Sequence, residues 1–441
     1  MEVVPRKRRP YSTLEKLEMK KTLVAIAALA SVSAFAQVTL TGNVDVGYKA
    51  VSVDMNSTAK YSGLGHNNAS TTAFFFQGKE DLGGGLSARF MADLDWAPTL
   101  SSSANQSSST AALSQVYTGT PFNGEQFLAV SGGFGDLKLG TPNSPMLSVV
   151  GDSNPFGTAL GGGFSSGFGR FGTGSASGYN QYVGAAGSAG RIIRHNKAMV
   201  YDTPEFMPGL KAQIEYVSGN SNGGWTSNDN NIFGASLRYA NGPIKANYNS
   251  TKASAGSIAS SGDASFAKLA GNTTAGSATT AAYNTANVLA ANASTTWNAI
   301  TGSYTMGNTT IMGGMTTTKT DGFTTAGAIE DSKSQNIAVK YVMGNVDLLG
   351  NYLRRASGLT EAQQAVASTT AGSFAPTAKL IGLGANYNFS KNTLLYVRYE
   401  SIKGINAAAS TTTTLTNGIT GIGAYGNASQ ATSAVGLKMV F

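Results

Sequence analysis

The segment Val38–Tyr48, V-T-L-T-G-N-V-D-V-G-Y, decides the fold. Its large apolar residues occupy alternate positions, and the residues between them are polar. Alternation with a period of two is typical of a β-strand that has one apolar and one polar face. The segment therefore predicts such a strand, with these two faces: Val38, Leu40, Val44, Val46 and Tyr48 against Thr39, Thr41, Asn43 and Asp45.

The same alternation recurs along the chain. Leu86–Leu94 places Arg89 and Asp93 on its polar face, and residues 210–216 follow the same pattern. Tyr or Phe repeatedly closes the apolar face, as in the aromatic girdles of membrane β-barrels. Further segments of this kind cover residues 233–239, 244–248, 337–341, 346–352, 383–389, 395–399 and 435–441.

The connections between these segments alternate between short and long. Seven tight turns are predicted at residues 82–85, 135–136, 207–209, 242–243, 307–308, 344–345 and 390–392. Eight long polar stretches cover residues 55–71, 98–124, 142–192, 219–230, 252–294, 320–333, 356–378 and 403–430. This count requires sixteen strands with both termini on the short-turn side. It predicts an all-β protein, a transmembrane antiparallel β-barrel of sixteen strands. A β-solenoid or adhesin would show a fixed repeat, which the sequence does not contain.

The third long stretch, Pro142–Arg194, has no hydrophobic period. Loops of this length usually bind, cover or fill something. Its charged residues before Arg194 are Asp152, Arg170 and Arg191. The run 155–157 either marks where the loop turns against the barrel wall or forms an ordinary surface turn.

The N-terminus predicts export. Met19-Lys20-Lys21 precedes an apolar run, and residues 34–36, A-F-A, suit signal peptidase. We expect residues 1–18 to be an upstream start extension, 19–36 a signal peptide and 37–441 the barrel. A single long n-region is the alternative. Residues 1–36 carry seven of the 31 Lys and Arg and three of the 23 Asp and Glu, so the remainder has a net charge of +4 and does not imply nucleic acid as a partner.

Composition narrows the class further. Charged residues make up only 12% of the chain, against about a quarter in soluble domains, and cysteine is absent. After residue 36 no apolar run approaches the roughly 18 residues of a membrane-spanning helix. An exported chain of this kind is either soluble outside the cytoplasm or a membrane β-barrel, and the strand pattern favours the barrel.

Several motifs carry a family resemblance. They are Q-V-T-L-T-G-N-V-D-V-G from Gln37, G-K-E-D-L-G-G-G-L-S-A-R-F from Gly78, S-G-G-F-G-D-L-K-L-G from Ser131, N-P-F-G from Asn154 and Y-D-T-P-E-F from Tyr201. In this order the chain resembles the general porins of β-proteobacteria. The resemblance implies a homotrimer in the outer membrane, surrounded by lipid and lipopolysaccharide, that passes small hydrophilic solutes and ions without a cofactor. It also implies that the third external loop folds into the lumen as a constriction, often lined by arginines that favour anions.

The arginine pattern of the family is thinned here. Ala73, Gly124 with Glu125, and Thr141 stand where basic residues are common. We therefore expect a channel that is weakly anion-selective at most. The predicted pore-lining residues are Arg89, Asp93, Lys138, Asp152, Arg170, Arg191, Arg194 and Arg398.

Other functions remain as alternatives. A solute-specific porin is the alternative within transport, and a surface adhesin or antigen that uses the external loops is the alternative from another class. The two histidines, His66 and His195, predict neither a catalytic base nor a metal site, because His195 stands among Arg194 and Lys197 without an evident carboxylate partner. We expect no enzyme activity.

Overall fold

The computed structural model describes residues 37–54, 58–96, 98–99, 124–163, 194–195, 197–219, 229–254, 289–323, 332–357, 374–405, 413–415, 419–421 and 428–441. One short helix, α1 (Pro145–Gly151), lies within these ranges, and nearly all of the rest is β-structure. The strands are β1 (Gln37–Asp54), β2 (Thr58–His66), β3 (Ala73–Gly83), β4 (Leu86–Asp95), β5 (Gln126–Gly132), β6 (Gly135–Thr141), β7 (Ala198–Asp202), β8 (Leu210–Gly219), β9 (Asp229–Asn241), β10 (Ile244–Ser254), β11 (Leu289–Met306), β12 (Thr309–Phe323), β13 (Ser332–Met343), β14 (Val346–Ser357), β15 (Phe374–Asn388), β16 (Thr393–Ile405), β17 (Thr413–Leu415), β18 (Ile419–Gly421) and β19 (Ala428–Val440).

The sheet closes on itself through β1. One edge of β1 pairs with β19, and the other edge pairs with β2 and then with β3. Because β2 and β3 follow one another along the same edge, they form one strand interrupted at residues 67–72. All other neighbours pair antiparallel in chain order up to β16, which pairs with β19. The prediction of a closed barrel of sixteen antiparallel strands is confirmed.

Two details of the predicted connections are wrong. The stretch 55–71 contains β2 (Thr58–His66), and the turn placed at 135–136 lies at 133–134, so that β6 already begins at Gly135. Strand β2 carries small and polar residues, which hide the period of two, while its backbone is satisfied by the ladder to β1. The last long connection contains a separate ladder between β17 and β18.

The two faces of the barrel wall have opposite chemistry. The large apolar side chains are exposed, as for Val38 with 63% of its surface accessible and Leu383 with 53%. Carboxylates such as Asp45 and Glu215 are fully buried on the opposite face. This reverses the distribution found in water-soluble proteins and matches a barrel with an apolar outer band. Within the described ranges, no helix combines the length and apolarity needed to cross a membrane.

The outer apolar band makes a testable prediction. Leu383 lies in the middle of β15 with its side chain exposed. We expect Leu383→Arg to reduce the free energy of folding into lipid vesicles by about 2–4 kcal/mol, the cost of a cation near the bilayer midplane. Urea-dependent folding into vesicles measures this cost. Leu383→Ala is the control that removes apolar surface without adding charge, and an equal loss for both variants would contradict a lipid-facing position.

Candidate functional site

The long connection between β6 and β7 returns to the barrel wall. Its first described part, residues 142–163, is called the inner segment below. Ser144 caps α1 by accepting a hydrogen bond from Leu147 N at 3.2 Å, and Pro145 occupies the first turn, where its missing N–H costs nothing. Met146, Val149 and Val150 of α1 are fully buried. The helix packs against β8, β9, β10 and β11.

Uncharged side chains hold the backbone of the inner segment. Thr301 Oγ1 donates to Val149 O at 2.8 Å, and Asn336 Nδ2 donates to Ser153 O at 2.7 Å. Further along, Asn351 Nδ2 donates to Gly162 O at 3.0 Å. These donors stand on β11, β13 and β14, on the polar face of the wall. The segment is therefore attached along this sector by neutral hydrogen bonds, which salt screens less than it screens exposed ion pairs.

A carboxylate and a close glycine contact fix the end of the inner segment. Glu400 Oε2 accepts hydrogen bonds from the backbone N–H groups of Gly161 and Gly162, both at 3.0 Å. Both glycines have positive φ, +107° and +91°, which other residues rarely adopt. A Cβ on Gly382 of β15 would lie 1.7 Å from the carbonyl oxygen of Gly161. Only glycine at position 382 permits this approach.

Phe156 anchors the turn of the N-P-F-G motif. Asn154 Oδ1 accepts a hydrogen bond from Phe156 N at 3.0 Å, and the ring is buried. The guanidinium of Arg398 lies 5.7 Å from the ring centroid, and a Cβ on Gly384 would lie 2.9 Å from the ring. Of the two interpretations of residues 155–157, the structure supports the turn against the wall.

Asp152 lies in a small charged cluster. Its carboxylate accepts hydrogen bonds from Arg238 Nη2 at 3.1 Å, Lys245 Nζ at 3.3 Å and Asn247 Nδ2 at 3.2 Å. Arg238 and Lys245 lie on β9 and β10, and the alternation along these strands does not reveal that they pair with Asp152. The cluster contains two cations and one anion, and the cationic side chains are partly exposed.

Arg89 and Lys138 occupy another sector, on β4 and β6. Arg89 forms an ion pair with Asp136, and its guanidinium lies 4.9 Å from the centroid of the Phe127 ring. Lys138 Nζ lies 2.5 Å from Asp202 and 3.8 Å from Asp136. Carboxylates on β6 and β7 therefore offset the charge of both residues.

The two ends of the long connection meet at the wall. Asn143 and Arg194 form an antiparallel bridge, and Arg194 Nη1 lies 3.8 Å from Asp93. Glu125 accepts hydrogen bonds from the backbone N and from Nδ2 of Asn143, at 2.9 and 3.0 Å. A side chain at position 124 would crowd this stem, because a Cβ on Gly124 would lie 2.1 Å from the Asp93 carboxyl group.

The expectation that His195 has no carboxylate partner is wrong. His195 Nδ1 lies 2.8 Å from Glu215 Oε1, and both side chains are buried. The pairing of β7 with β8 brings residues twenty positions apart together, which sequence spacing does not reveal. Within the described residues, no group of three His, Asp or Glu could hold a metal ion.

The structure thus divides the predicted site residues into sectors. Asp152 belongs to the inner segment and Arg398 contacts it, Asp93 and Arg194 form its stem, and Arg89 and Lys138 pair with carboxylates elsewhere on the wall. Arg170 and Arg191 lie outside the described residues. Sequence reasoning missed the roles of Glu400, Glu125, Arg238 and Lys245.

Comparison with known proteins gives a consistent result. A family model described as Gram-negative porin matches residues 22–407. Outer membrane porin protein 32 of Delftia acidovorans is 30% identical over 232 residues, and the major outer membrane protein P.IB of Neisseria meningitidis serogroup B is 27% identical over 242 residues. Each match covers 52% of this chain and 58% of the relative, so the chain spans little more than half the length of these curated relatives.

Solved structures show the same fold. A structure titled anion-selective porin from Comamonas acidovorans aligns with a TM-score of 0.64 and 22% identity, covering 92% of this chain and 100% of that chain. OmpT of Vibrio cholerae, in a structure titled trimer form, aligns with a TM-score of 0.54 and 12% identity, covering 92% and 99%. At these identities the similarity concerns the fold alone.

The close contact of Gly382 with Gly161 leads to a prediction about the stability of the barrel. We expect Gly382→Ala to lower the free energy of unfolding by about 1–3 kcal/mol, because the added methyl group displaces the Gly161 carbonyl. Urea unfolding followed by tryptophan fluorescence measures the loss. Gly350→Ala is the matched control, since its Cβ would lie an ordinary 3.4 Å from Val339. Equal stability of the two variants would contradict the close approach of the inner segment.

Proposed function

The chain belongs to the Gram-negative porin family, and we propose on this premise that it forms a water-filled channel for passive diffusion of small hydrophilic solutes and ions across the outer membrane. The observation that carries the proposal is the inner segment, attached to the polar face of a closed sixteen-strand barrel. Family membership alone would suggest a channel, and the attached segment suggests where that channel is narrowest.

In this proposal the polar faces of the strands line the lumen. The inner segment is the third external loop folded inward, and it covers the sector from β8 to β16. The passage then lies between this segment and the opposite sector, which carries Arg89, Lys138 and the stem residues Asp93 and Arg194. Arg170 and Arg191 belong to the same loop, and we propose that they also face the passage.

The charges of these groups favour weak selectivity. The cluster of Arg238, Lys245 and Asp152 has a net charge of +1. The charges of Arg89 and Lys138 are balanced by those of Asp136 and Asp202. Rings of opposed charges set the field that permeating ions meet, and here much of that field is cancelled locally. We therefore propose a channel that is weakly anion-selective at most. A structural neighbour titled anion-selective agrees in sign.

The assembly and processing are also proposals. We propose a homotrimer in outer-membrane lipid and lipopolysaccharide, made after removal of a signal peptide at residues 19–36, with residues 1–18 as an upstream extension. We propose that the protein has no enzymatic role. A solute-specific porin would show saturable block of the current by its solute, and an adhesin would bind its ligand independently of any current.

The first test is single-channel recording. Purified, folded protein in a planar bilayer is expected to give stepwise conductance, and its absence would refute the channel.

Asp152→Asn frees Arg238 and Lys245, so we expect the ratio of chloride to potassium permeability to rise about twofold, since a nearby unit charge changes ion energies by a fraction of a kcal/mol in water. The reversal potential in a salt gradient measures this ratio. Asp81→Asn, an exposed carboxylate beside the turn to β4, is the control, and a shift toward potassium would contradict the assignment.

The second test concerns processing. The protein isolated from outer membranes is expected to begin at Gln37, because signal peptidase requires small residues at Ala34 and Ala36. N-terminal sequencing checks this directly. A mature chain that begins upstream of Gln37 would contradict the proposed cleavage.

A further inference from the structure

The interruption between β2 and β3 places extra chain on the polar side of the wall. The ladder to β1 stops at the pair Val46–His66 and resumes at Asn43–Ala73. Six residues, 67–72, therefore stand opposite two residues of β1, and the excess must leave the plane of the sheet. These six residues, 67–72, are called the latch segment below. The segment begins at Asn67, which has a left-handed φ of 59°. Its contacts lie among the buried polar groups of β1 and β16.

A buried carboxylate organises the latch segment. Asp45 Oδ2 accepts hydrogen bonds from the consecutive backbone N–H groups of Ala69 and Ser70, the second at 2.9 Å. Asp45 Oδ1 accepts a hydrogen bond from the hydroxyl of Tyr396 on β16. Both Asp45 and Tyr396 are fully buried. A buried carboxylate that accepts from several donors holds those donors in one arrangement, because each would otherwise be left unsatisfied.

The neighbouring residues complete this arrangement. Asp45 N donates to Thr72 Oγ1 at 3.0 Å, and Asn67 Oδ1 accepts a hydrogen bond from Thr72 N at 2.6 Å. Asn68 Nδ2 donates to the Tyr396 hydroxyl at 3.2 Å. Both ends of the latch segment are thus tied to the residues that hold its centre.

The latch segment contacts the inner segment directly. Leu160 N donates to Asn68 O at 3.1 Å. Thr71 N donates to Thr158 Oγ1 at 3.2 Å, and the hydroxyls of Thr71 and Thr158 lie 3.0 Å apart. Leu160 also packs against Tyr396, with Ala69 beside them. The end of the inner segment is therefore held from two sides, by Glu400 and by the latch segment.

We propose that the latch segment is a second element of the constriction and that Asp45 is a positioning residue that fixes the width of the channel through it. This rests on the proposed channel function. Asp45 does not face the passage, since it is fully buried, and it acts by holding residues 68–71 where they bind residues 158–160. The contact between the two threonines is exposed, so it is the part of the latch that can open while the barrel stays closed.

A disulfide tests the proposal, because the chain has no cysteine. In the double variant Thr71→Cys/Thr158→Cys, oxidation should join the two segments. We expect the open-channel current noise to fall on oxidation and to return on reduction. The matched control is Thr305→Cys/Thr310→Cys, whose parent hydroxyls lie 3.1 Å apart across the β11–β12 turn, away from the inner segment. Equal changes in both pairs would overturn the proposal.

Single substitutions provide the opposite perturbation. Thr158→Val keeps the shape of the side chain but removes both polar contacts to Thr71, and we expect brief partial closures to become roughly five to ten times more frequent, as the loss of one or two hydrogen bonds implies. Asp45→Asn should increase them as well, provided that circular dichroism shows a folded barrel. Thr305→Val is the control.

The outcomes separate the two proposals. If the unmodified protein gives no stepwise current, the channel function fails. If it conducts normally but neither the disulfide nor Thr158→Val changes noise or closures, the channel function stands and the role of the latch segment is refuted.

Discussion

The hydrogen-bonded closure of the sheet through β1 is the constraint on which the rest of the structure depends. In a hydrocarbon environment an unpaired strand edge leaves its N–H and C=O groups without partners, so that only closed sheets can span it. β1 meets this requirement by pairing with β19 on one edge and with β2 and β3 on the other. The last residue extends the closure, because Phe441 and Gly42 exchange backbone hydrogen bonds. The usual burial is also inverted in the wall, since large apolar side chains such as Leu383 are exposed and carboxylates such as Asp45 and Glu215 are buried.

A polar interior can position a segment only if its groups are satisfied one by one. Apolar packing is non-directional, whereas each hydrogen bond from Thr301, Asn336 or Asn351 specifies one carbonyl oxygen of the inner segment. Glycine provides the complementary condition, since the segment reaches Gly382 only because that position lacks a side chain. Directional hydrogen-bond donors and a glycine without a side chain in the wall therefore determine where the inner segment lies. Such an attachment differs from a hydrophobic core in that one altered residue removes one specific contact.

The sequence predicted the barrel better than it predicted the site, for a physical reason. Strand number follows from the alternation of side chains and from turn residues, which are local properties that can be read one segment at a time. β2 was not predicted as a strand because its small residues show no period of two. Its pairing with β1 stabilises it instead. The site depends on contacts between distant residues, such as Glu400 with Gly161 and His195 with Glu215, which only the register of the closed sheet brings together. Asp152 and Arg398 could be named from sequence as inward-facing charges, but their partners could not.

The stem of the inner segment shows what stands at two positions where the family resemblance predicts basic residues. At Gly124 an added Cβ would lie 2.1 Å from the Asp93 carboxyl group, and Glu125 accepts two hydrogen bonds from Asn143. Ala73 is buried where β3 begins, beside the latch segment. The residues at these positions are neutral or acidic, and Glu125 holds the backbone N–H of Asn143. Because the inner segment is attached mainly by neutral donors, its position does not require cations at these positions. Arg89 and Lys138 are paired with Asp136 and Asp202 within the wall, whereas the single carboxylate of Asp152 contacts two cations, Arg238 and Lys245.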